Sequence, residues 1–247
     1  MKAIVLAGGF AKRLWPLTKD TPKPLLHVGG KPMIDHIMEK LSAVSEIDEI
    51  YISTNSKFEP HFNRWISSSS FRKNVSIFAE ESHCEEKKLG AIGALGVIFR
   101  ELDINDDVIV VAGDNLFEFD INDFLRCAHG EVPKVALYDM REKDAVRNRY
   151  GVVVLNENNI IKEFHEKPED PVSTIISTGC YFFPKGTAHK IHEYIANGKN
   201  PDAPGFFIEW LSKQTDVSGF VLSENHRWFD IGSIESYEEA NRLYSNV

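Results

Sequence analysis

The 247-residue sequence predicts an α/β protein with a mostly parallel sheet flanked by helices, and three observations carry that expectation. Short apolar runs that read as strands recur through the first half, two of them ending at glycine. Stretches with apolar side chains at helical spacing lie between those runs. Hydrophobic residues make up 43% of the chain, enough for a packed core. The expected organisation is one domain over 1–247, with a first half at 1–138 and a second at 139–247.

Ala3 to Ala7 is an uninterrupted apolar run ending at Gly8-Gly9, as expected for a strand buried on both faces and followed by a tight turn. From Pro32, suited to a first helical turn, Met33, Ile34, Ile37, Met38 and Leu41 recur at helical spacing. A second strand is expected at Ile50 to Ser53, then a helix carrying Phe58, Phe62, Trp65 and Ile66. Val75 to Ala79 reads as a third strand, Gly90 to Phe99 as a small-residue helix, and Val108 to Ala112 as a fourth strand ending at Gly113-Asp114-Asn115. Beyond Val135 to Tyr138 the pattern changes. Tyr150 to Leu155, Ile160 to Glu166 and Thr178 to Phe183 read as strands, the first two joined by the turn-like Asn156 to Asn159, so this half is expected to be more antiparallel. A helix at Ala188 to Ala196, strands at Val217 to Leu222 and Arg227 to Asp230, and a helix from Ile234 to Tyr244 complete the order. No internal repeat is visible, and Ser67 to Ser70 is expected at a solvated helix end or loop.

No run approaches the roughly 18 uncharged apolar residues of a membrane span. The opening MKAIVLAGG breaks at glycine too early for a leader, so a soluble, cytoplasmic protein is expected. Cys84, Cys127 and Cys180 lack CxxC or Cys/His ligand spacing, which argues against a disulfide framework and a zinc site. The net charge of −9 argues against a nucleic-acid surface. Yet residues 1–31 hold Lys2, Lys12, Arg13, Lys19, Lys23 and Lys31 against Asp20 alone, an excess of five positive charges. An anionic ligand is expected there.

Gly8 and Gly9 lack a Cβ, so their backbone can approach a ligand and its N–H groups can meet phosphate oxygens, with Arg13 and Lys23 supplying charge. The segment matches neither GxGxxG nor GxxxxGK followed by Ser or Thr, which argues against a dinucleotide site and a P-loop. Ligands of open α/β sheets gather beyond the carboxyl ends of the strands, where Gly9, Arg13 and Asp114 fall. Asp114 alone could equally form an Asx-turn, as could Asp230. Two carboxylates at strand ends beside a cationic glycine turn suit Mg²⁺, which takes one or two carboxylates plus phosphate oxygens and water. Adjacent side chains on a strand face opposite ways, so Glu166 and Lys167 can share a substrate only at an end or bulge, and Pro168 marks an end.

The whole segment AGGFAKRLWPLTKDTPKPLLHVGGKPMIDH resembles the signature of the sugar-phosphate nucleotidyltransferase family, departing at Ala11-Lys12, where the family more often has Gly-Thr. Leu89-Gly90-Ala91-Ile92-Gly93-Ala94, Gly113-Asp114-Asn115, Tyr150-Gly151-Val152-Val153, Glu166-Lys167-Pro168, Thr178-Gly179-Cys180-Tyr181 and Trp228-Phe229-Asp230-Ile231-Gly232-Ser233 are similar to further family segments in the same order. The resemblance implies a Rossmann-like mixed sheet, with nucleotide binding mainly in 1–138 and an antiparallel sugar-phosphate-binding portion in 139–247. It implies condensation of a sugar 1-phosphate, with glucose 1-phosphate the first choice, and a nucleoside triphosphate, dTTP or UTP, into a nucleotide-sugar and pyrophosphate. Nucleotide contacts are implied at Leu6, Ala7, Gly8, Gly9, Lys12, Arg13, Glu81, Gly90 and Asp114. Sugar-phosphate contacts are implied at Asn115, Gly151, Glu166, Lys167, Thr178, Gly179 and Tyr181. Mg²⁺ would sit on Asp114 and Asp230, and the catalytic set would be Arg13, Lys23, Asp114, Lys167 and Asp230.

Such a reaction needs neither a covalent nucleophile nor a general base, because the attacking phosphate is already ionised. The cations of the glycine turn and the carboxylate-held Mg²⁺ are expected to converge on the reacting phosphorus. Base choice stays open. Pyrimidine-preferring members often place a glutamine before the glycine matching Gly90, whereas Glu80 to Glu86 offers carboxylates. A carboxylate accepts from N3–H of uracil or thymine and equally from N1–H and the amino group of guanine, so mannose 1-phosphate with GTP is the alternative. A glycosyltransferase would more typically carry DxD, and a non-catalytic nucleotide-sugar sensor would not require the intact cationic and carboxylate set. No hexapeptide repeats of an acetyltransferase half are visible. A homo-oligomer is allowed for, although no heptad or apolar stripe identifies an interface.

Overall fold

The computed structural model describes residues 1–69, 71, 74–126 and 132–245; Ser70 and Cys127 of the sequence reading lie outside them. In chain order the elements are β1 (Lys2–Leu6), β2 (His27–Val28), β3 (Lys31–Pro32), α1 (Met33–Ala43), β4 (Glu49–Asn55), α2 (Glu59–Ser68), β5 (Asn74–Glu80), α3 (Ala91–Glu101), β6 (Val108–Ala112), β7 (Asn115–Phe117), α4 (Ile121–Arg126), β8 (Lys134–Asp139), α5 (Lys143–Val146), β9 (Gly151–Leu155), β10 (Ile161–Glu166), β11 (Ile175–Phe183), α6 (Thr187–Ala196), α7 (Pro204–Leu211), β12 (Ser218–Val221), β13 (Trp228–Asp230) and α8 (Ile234–Tyr244). Two compact units emerge: Met1–Lys88, Val111–Ile121 and Arg227–Val247 form the first, Leu89–Val110 and Asn122–His226 the second.

In the first unit β1 pairs in parallel with β4, and β4 with β5. The apolar run predicted for β1 is buried at Ala3, Ile4 and Val5, because both faces of the strand are covered. Helix α1 buries Met33, Ile34, Ile37, Met38 and Leu41, the predicted stripe. Pro32 precedes this helix and pairs with His27 across β2–β3, one residue outside the expected first turn. A two-stranded antiparallel ribbon, β7–β13, sets Asp230 opposite Asn115. Leu14, Leu26, Val28, Met33, Leu116, Ile231 and Ala240 form a core cluster that ties the amino-terminal loop to this ribbon and to α8.

The second unit is mainly antiparallel: β9 pairs with β10, and β11 with β8 and β9, while β12 joins β8 in parallel. The fold class is therefore the expected mixed α/β one, parallel strands flanked by helices in one unit and antiparallel pairing dominant in the other. The sequence reading missed α7, PGFFIEWL, whose residues are apolar around nearly the whole helix and so show no contrast between faces. Phe207, Ile208 and Leu211 are buried there. Among the described residues no helix is long and apolar enough to cross a membrane.

Candidate active site

The first unit gathers one set of candidate residues at the carboxyl ends of β1 and β6. Gly113 N–H donates to the Leu6 carbonyl at 2.8 Å, and a Cβ at Gly113 would come 2.9 Å from the same oxygen. Glycine thus lets the two strand ends close up, which puts Asp114 beside the turn that follows β1. Gly9 is exposed and a Cβ there would meet nothing, so its face of the turn is open. The Gly8 carbonyl accepts from Asn55 Nδ2 at 2.8 Å, and Ala7 N–H donates to the Ser53 carbonyl at 2.7 Å. Leu6 closes β1. Ala11 adopts the left-handed conformation, φ 47°, at the position where the resemblance places glycine, and the Thr18 hydroxyl pins its carbonyl at 2.8 Å.

Lys12 and Arg13 are exposed in the following 3₁₀ turn. Lys12 lies 3.4 Å from Glu86, whereas the Arg13 side chain makes no hydrogen bond or ion pair among the described residues. Lys23 is different. It is only 7% exposed, donates to Asp114 Oδ2 at 2.7 Å and lies 4.0 Å from Asp230 Oδ1. Desolvation would by itself lift the Asp114 carboxyl, but the Lys23 ammonium, its hydrogen bond and that of the Asn115 amide hold it below the ordinary aspartate range. Asn115 Nδ2 donates to Asp114 Oδ1 at 2.8 Å, while Asn115 Oδ1 is buried without a partner among the described residues. Asp114 and Asp230 are the residues that could hold a divalent ion. Mg²⁺ needs only one or two protein carboxylates, the rest of its shell being substrate oxygens and water; among the described residues no group of three or more His, Cys, Asp and Glu side chains could hold a metal ion.

Glu81, the carboxylate singled out in the sequence, is exposed just beyond β5. Its neighbour Glu80 is buried, accepts from the Ser82 hydroxyl at 2.8 Å, and presents Oε1 3.8 Å from where a Gly8 Cβ would stand. Glu80 is thus an additional candidate, one of the carboxylates of Glu80 to Glu86 to which the sequence reading assigned no contact. Its place directly after the apolar run Val75 to Ala79 was the available signal.

The second unit gathers a separate set of candidate residues. Gly90, with φ +77°, precedes α3. Gly151 opens β9 opposite Glu166, the last residue of β10. The strand does end there: Lys167 has φ 50°, and its N–H donates to the Tyr150 carbonyl at 3.1 Å. Lys167 Nζ, on a half-exposed side chain, stands 3.7 Å from Glu166 Oε1. Burial pushes the Glu166 carboxyl above the usual range, and Lys167 only partly opposes it. Gly179, φ +78°, lies within the register shift of β11 between Ser177 and Tyr181. Thr178 donates to the Ala136 carbonyl at 2.9 Å. The Ser177 hydroxyl donates to the phenol of Tyr181, which burial raises well above its usual range.

The predicted residues therefore fall into two groups. Leu6, Ala7, Gly8, Gly9, Lys12, Arg13, Lys23, Glu81, Asp114, Asn115 and Asp230 lie in the first unit; Gly90, Gly151, Glu166, Lys167, Thr178, Gly179 and Tyr181 lie in the second.

The chain is similar to known proteins over nearly its whole length. The nucleotidyl transferase family model matches residues 2–247. The chain is 31% identical over 244 residues to the bifunctional protein GlmU of Methanocaldococcus jannaschii, covering 98% of this chain and 54% of that protein. It is 31% identical over 242 residues to the UTP–glucose-1-phosphate uridylyltransferase AglF of Haloferax volcanii, covering 98% and 96%. It is 29% identical over 259 residues to the mannose-1-phosphate guanyltransferase of Schizosaccharomyces pombe, covering 99% and 64%. The chain thus spans about half to two thirds of the length of several relatives that it matches. A crystal structure of a candidate glucose-1-phosphate thymidylyltransferase from Bacillus anthracis, in complex with sucrose, superposes with a TM-score of 0.84 at 29% identity and covers 100% of this chain and 96% of that one. With a family model matched over nearly its full length and this fold, the chain belongs to the nucleotidyl transferase family.

Proposed function

We propose that the protein is a sugar-1-phosphate nucleotidyltransferase, with the candidate residues of the first unit for a nucleoside triphosphate and those of the second for the sugar phosphate. The observation that carries this reading is the seating of Lys23 between Asp114 and Asp230 at the end of a cationic glycine turn. The names of the relatives, which include uridylyl- and guanylyltransferases acting on sugar 1-phosphates, support the class.

The chemical problem is the approach of two anions. The backbone N–H groups of Gly8 and Gly9 and the exposed Arg13 are suited to the β- and γ-phosphates, which leave as pyrophosphate. Lys23 supplies a fixed charge near the α-phosphate. Lys167 holds the attacking sugar phosphate, and Glu166 accepts hydrogen bonds from sugar hydroxyls with Gly151 leaving room beside it. Mg²⁺ bound to Asp114 and Asp230 would supply charge neutralisation at the α-phosphate. Catalysis then comes from alignment and fixed positive charge, with no covalent intermediate.

Glucose 1-phosphate with dTTP or UTP is the first choice of substrates. The buried Glu80 carboxylate near Gly8 favours a base that presents an N–H, which keeps GTP with mannose 1-phosphate as the second reading. A matrix of nucleoside triphosphates against sugar 1-phosphates, with Mg²⁺ or with EDTA, scored by pyrophosphate release and product mass, tests the class, the pair and the metal together. Absence of pyrophosphate release from every pair would overturn the proposal.

A further inference from the structure

We propose that Gly205 is a positioning residue for this reaction: the lack of a side chain there lets the Glu166 carboxylate lie over the first turn of α7, in the seat from which it meets the sugar. The inference rests on the reading of Glu166 given above. A Cβ built at Gly205 would overlap Glu166 Oε2, stand 2.7 Å from its Cδ and 3.1 Å from Phe164 Cε1. One at Gly151 would stand 2.9 Å from the same oxygen and 2.5 Å from Phe164 Cζ. Gly151 is the direct partner of Glu166 across β9–β10, so its closeness follows from strand pairing. Gly205 comes from a separate element, second residue of α7, and nothing in its backbone calls for glycine. Its φ is not among the positive ones, and helices disfavour glycine relative to alanine. The remaining reason for glycine is space.

A backbone shift that would recover that space is opposed, because the segment leading into α7 is fastened. A Cβ at Gly90 would fall 2.5 Å from the Pro201 carbonyl oxygen and 2.6 Å from Asp202 Cα. The first N–H groups of α3, from Ala91 and Ile92, donate to the carbonyls of Asp202 and Pro201 at 3.0 and 2.9 Å, and the Tyr194 phenol donates to the Asn200 carbonyl at 2.7 Å. A methyl group at 205 therefore displaces the Glu166 carboxylate, which is buried against Phe164 and Gly151, from its seat.

The test is a four-member cycle of wild type, Gly205→Ala, Glu166→Ala and the double variant, read by steady-state kinetics and thermal unfolding. Gly205→Ala is expected to lower kcat/KM for the sugar 1-phosphate on the order of ten- to a hundredfold, with the KM for nucleoside triphosphate within about twofold of wild type. It also lowers Tm by several degrees. In the Glu166→Ala background the same substitution should cost no further activity and no Tm, because the atom it would strike is gone. Equal losses in both backgrounds, or no loss in either, overturn the proposal. If Gly205→Ala fails to fold while the double variant folds, the proposal stands; if neither folds, it falls. Should wild type turn over no sugar 1-phosphate, the functional reading fails, and the Tm cycle alone still decides whether Gly205 seats Glu166.

Discussion

Lys23 donates to Asp114 at 2.7 Å across 91 residues of sequence, and this pair ties the amino-terminal loop to the end of β6. A lysine that is nearly buried must keep a carboxylate partner, since an unpaired ammonium there would lose its hydration without compensation. Asp114 remains partly open, its side chain 40% exposed, so it can also meet a ligand.

Lys23→Ala leaves Asp114 and Asp230 facing one another without the cation between them. Stability is expected to fall by about 1.5–3 kcal/mol, the range for a hydrogen bond to a charged group. Turnover is expected to fall on the order of 10²-fold. Calorimetric titration should show Mg²⁺ binding more tightly to the nucleotide-free variant than to wild type, because a competing charge is gone. Wild-type turnover in the variant would remove Lys23 from the scheme.

Arg13→Ala should separate binding from folding. Its side chain is exposed and makes no hydrogen bond or ion pair among the described residues, so denaturant unfolding should move by no more than about 0.5 kcal/mol. The kcat/KM for nucleoside triphosphate should drop at least about tenfold, and the advantage of wild type should shrink as salt is added. A large stability loss would instead assign Arg13 a structural role.

Asp114→Asn keeps the size of the side chain and removes its charge. With Mg²⁺ saturating, turnover is expected to fall on the order of 10²-fold. Lys167→Ala should show a comparable loss, expressed against the sugar phosphate and not the triphosphate. Full activity in either variant would contradict its assigned role.

Glu166→Gln should give a stability gain with a pH signature. Burial raises the Glu166 carboxyl, Lys167 opposes the shift, and Glu209 and Asp202 add to it. Charging Glu166 therefore costs more in the folded chain than in the unfolded one. That cost is carried in full above the raised folded pKa and disappears as pH falls to the ordinary glutamate value near about 4.3 and below, where both states are protonated. The variant should be the more stable at neutral pH, with the difference closing in acid, while sugar-phosphate binding is lost. Urea midpoints across that pH range check it; a difference that widened on acidification would contradict the shift.

Most of the fold is legible in the sequence, because it rests on local pattern. The apolar run Ala3 to Ala7, the stripe through α1 and the strand ending at Asp114 each record in sequence which face is buried. Helix α7 was not legible, since a segment apolar nearly all round shows no period, and with it Gly205 went unseen. The signature cations, the two aspartates and the Glu166-Lys167 pair were singled out by the resemblance of their segments to those of the family. Their neighbours were not. That one buried ammonium is shared by Asp114 and Asp230, that Glu80 and not Glu81 is buried near Gly8, and that Glu166, on a strand, rests against a glycine of helix α7 are long-range facts. They were decided when strand pairing and helix packing brought distant segments within van der Waals contact, and no local periodicity encodes that event.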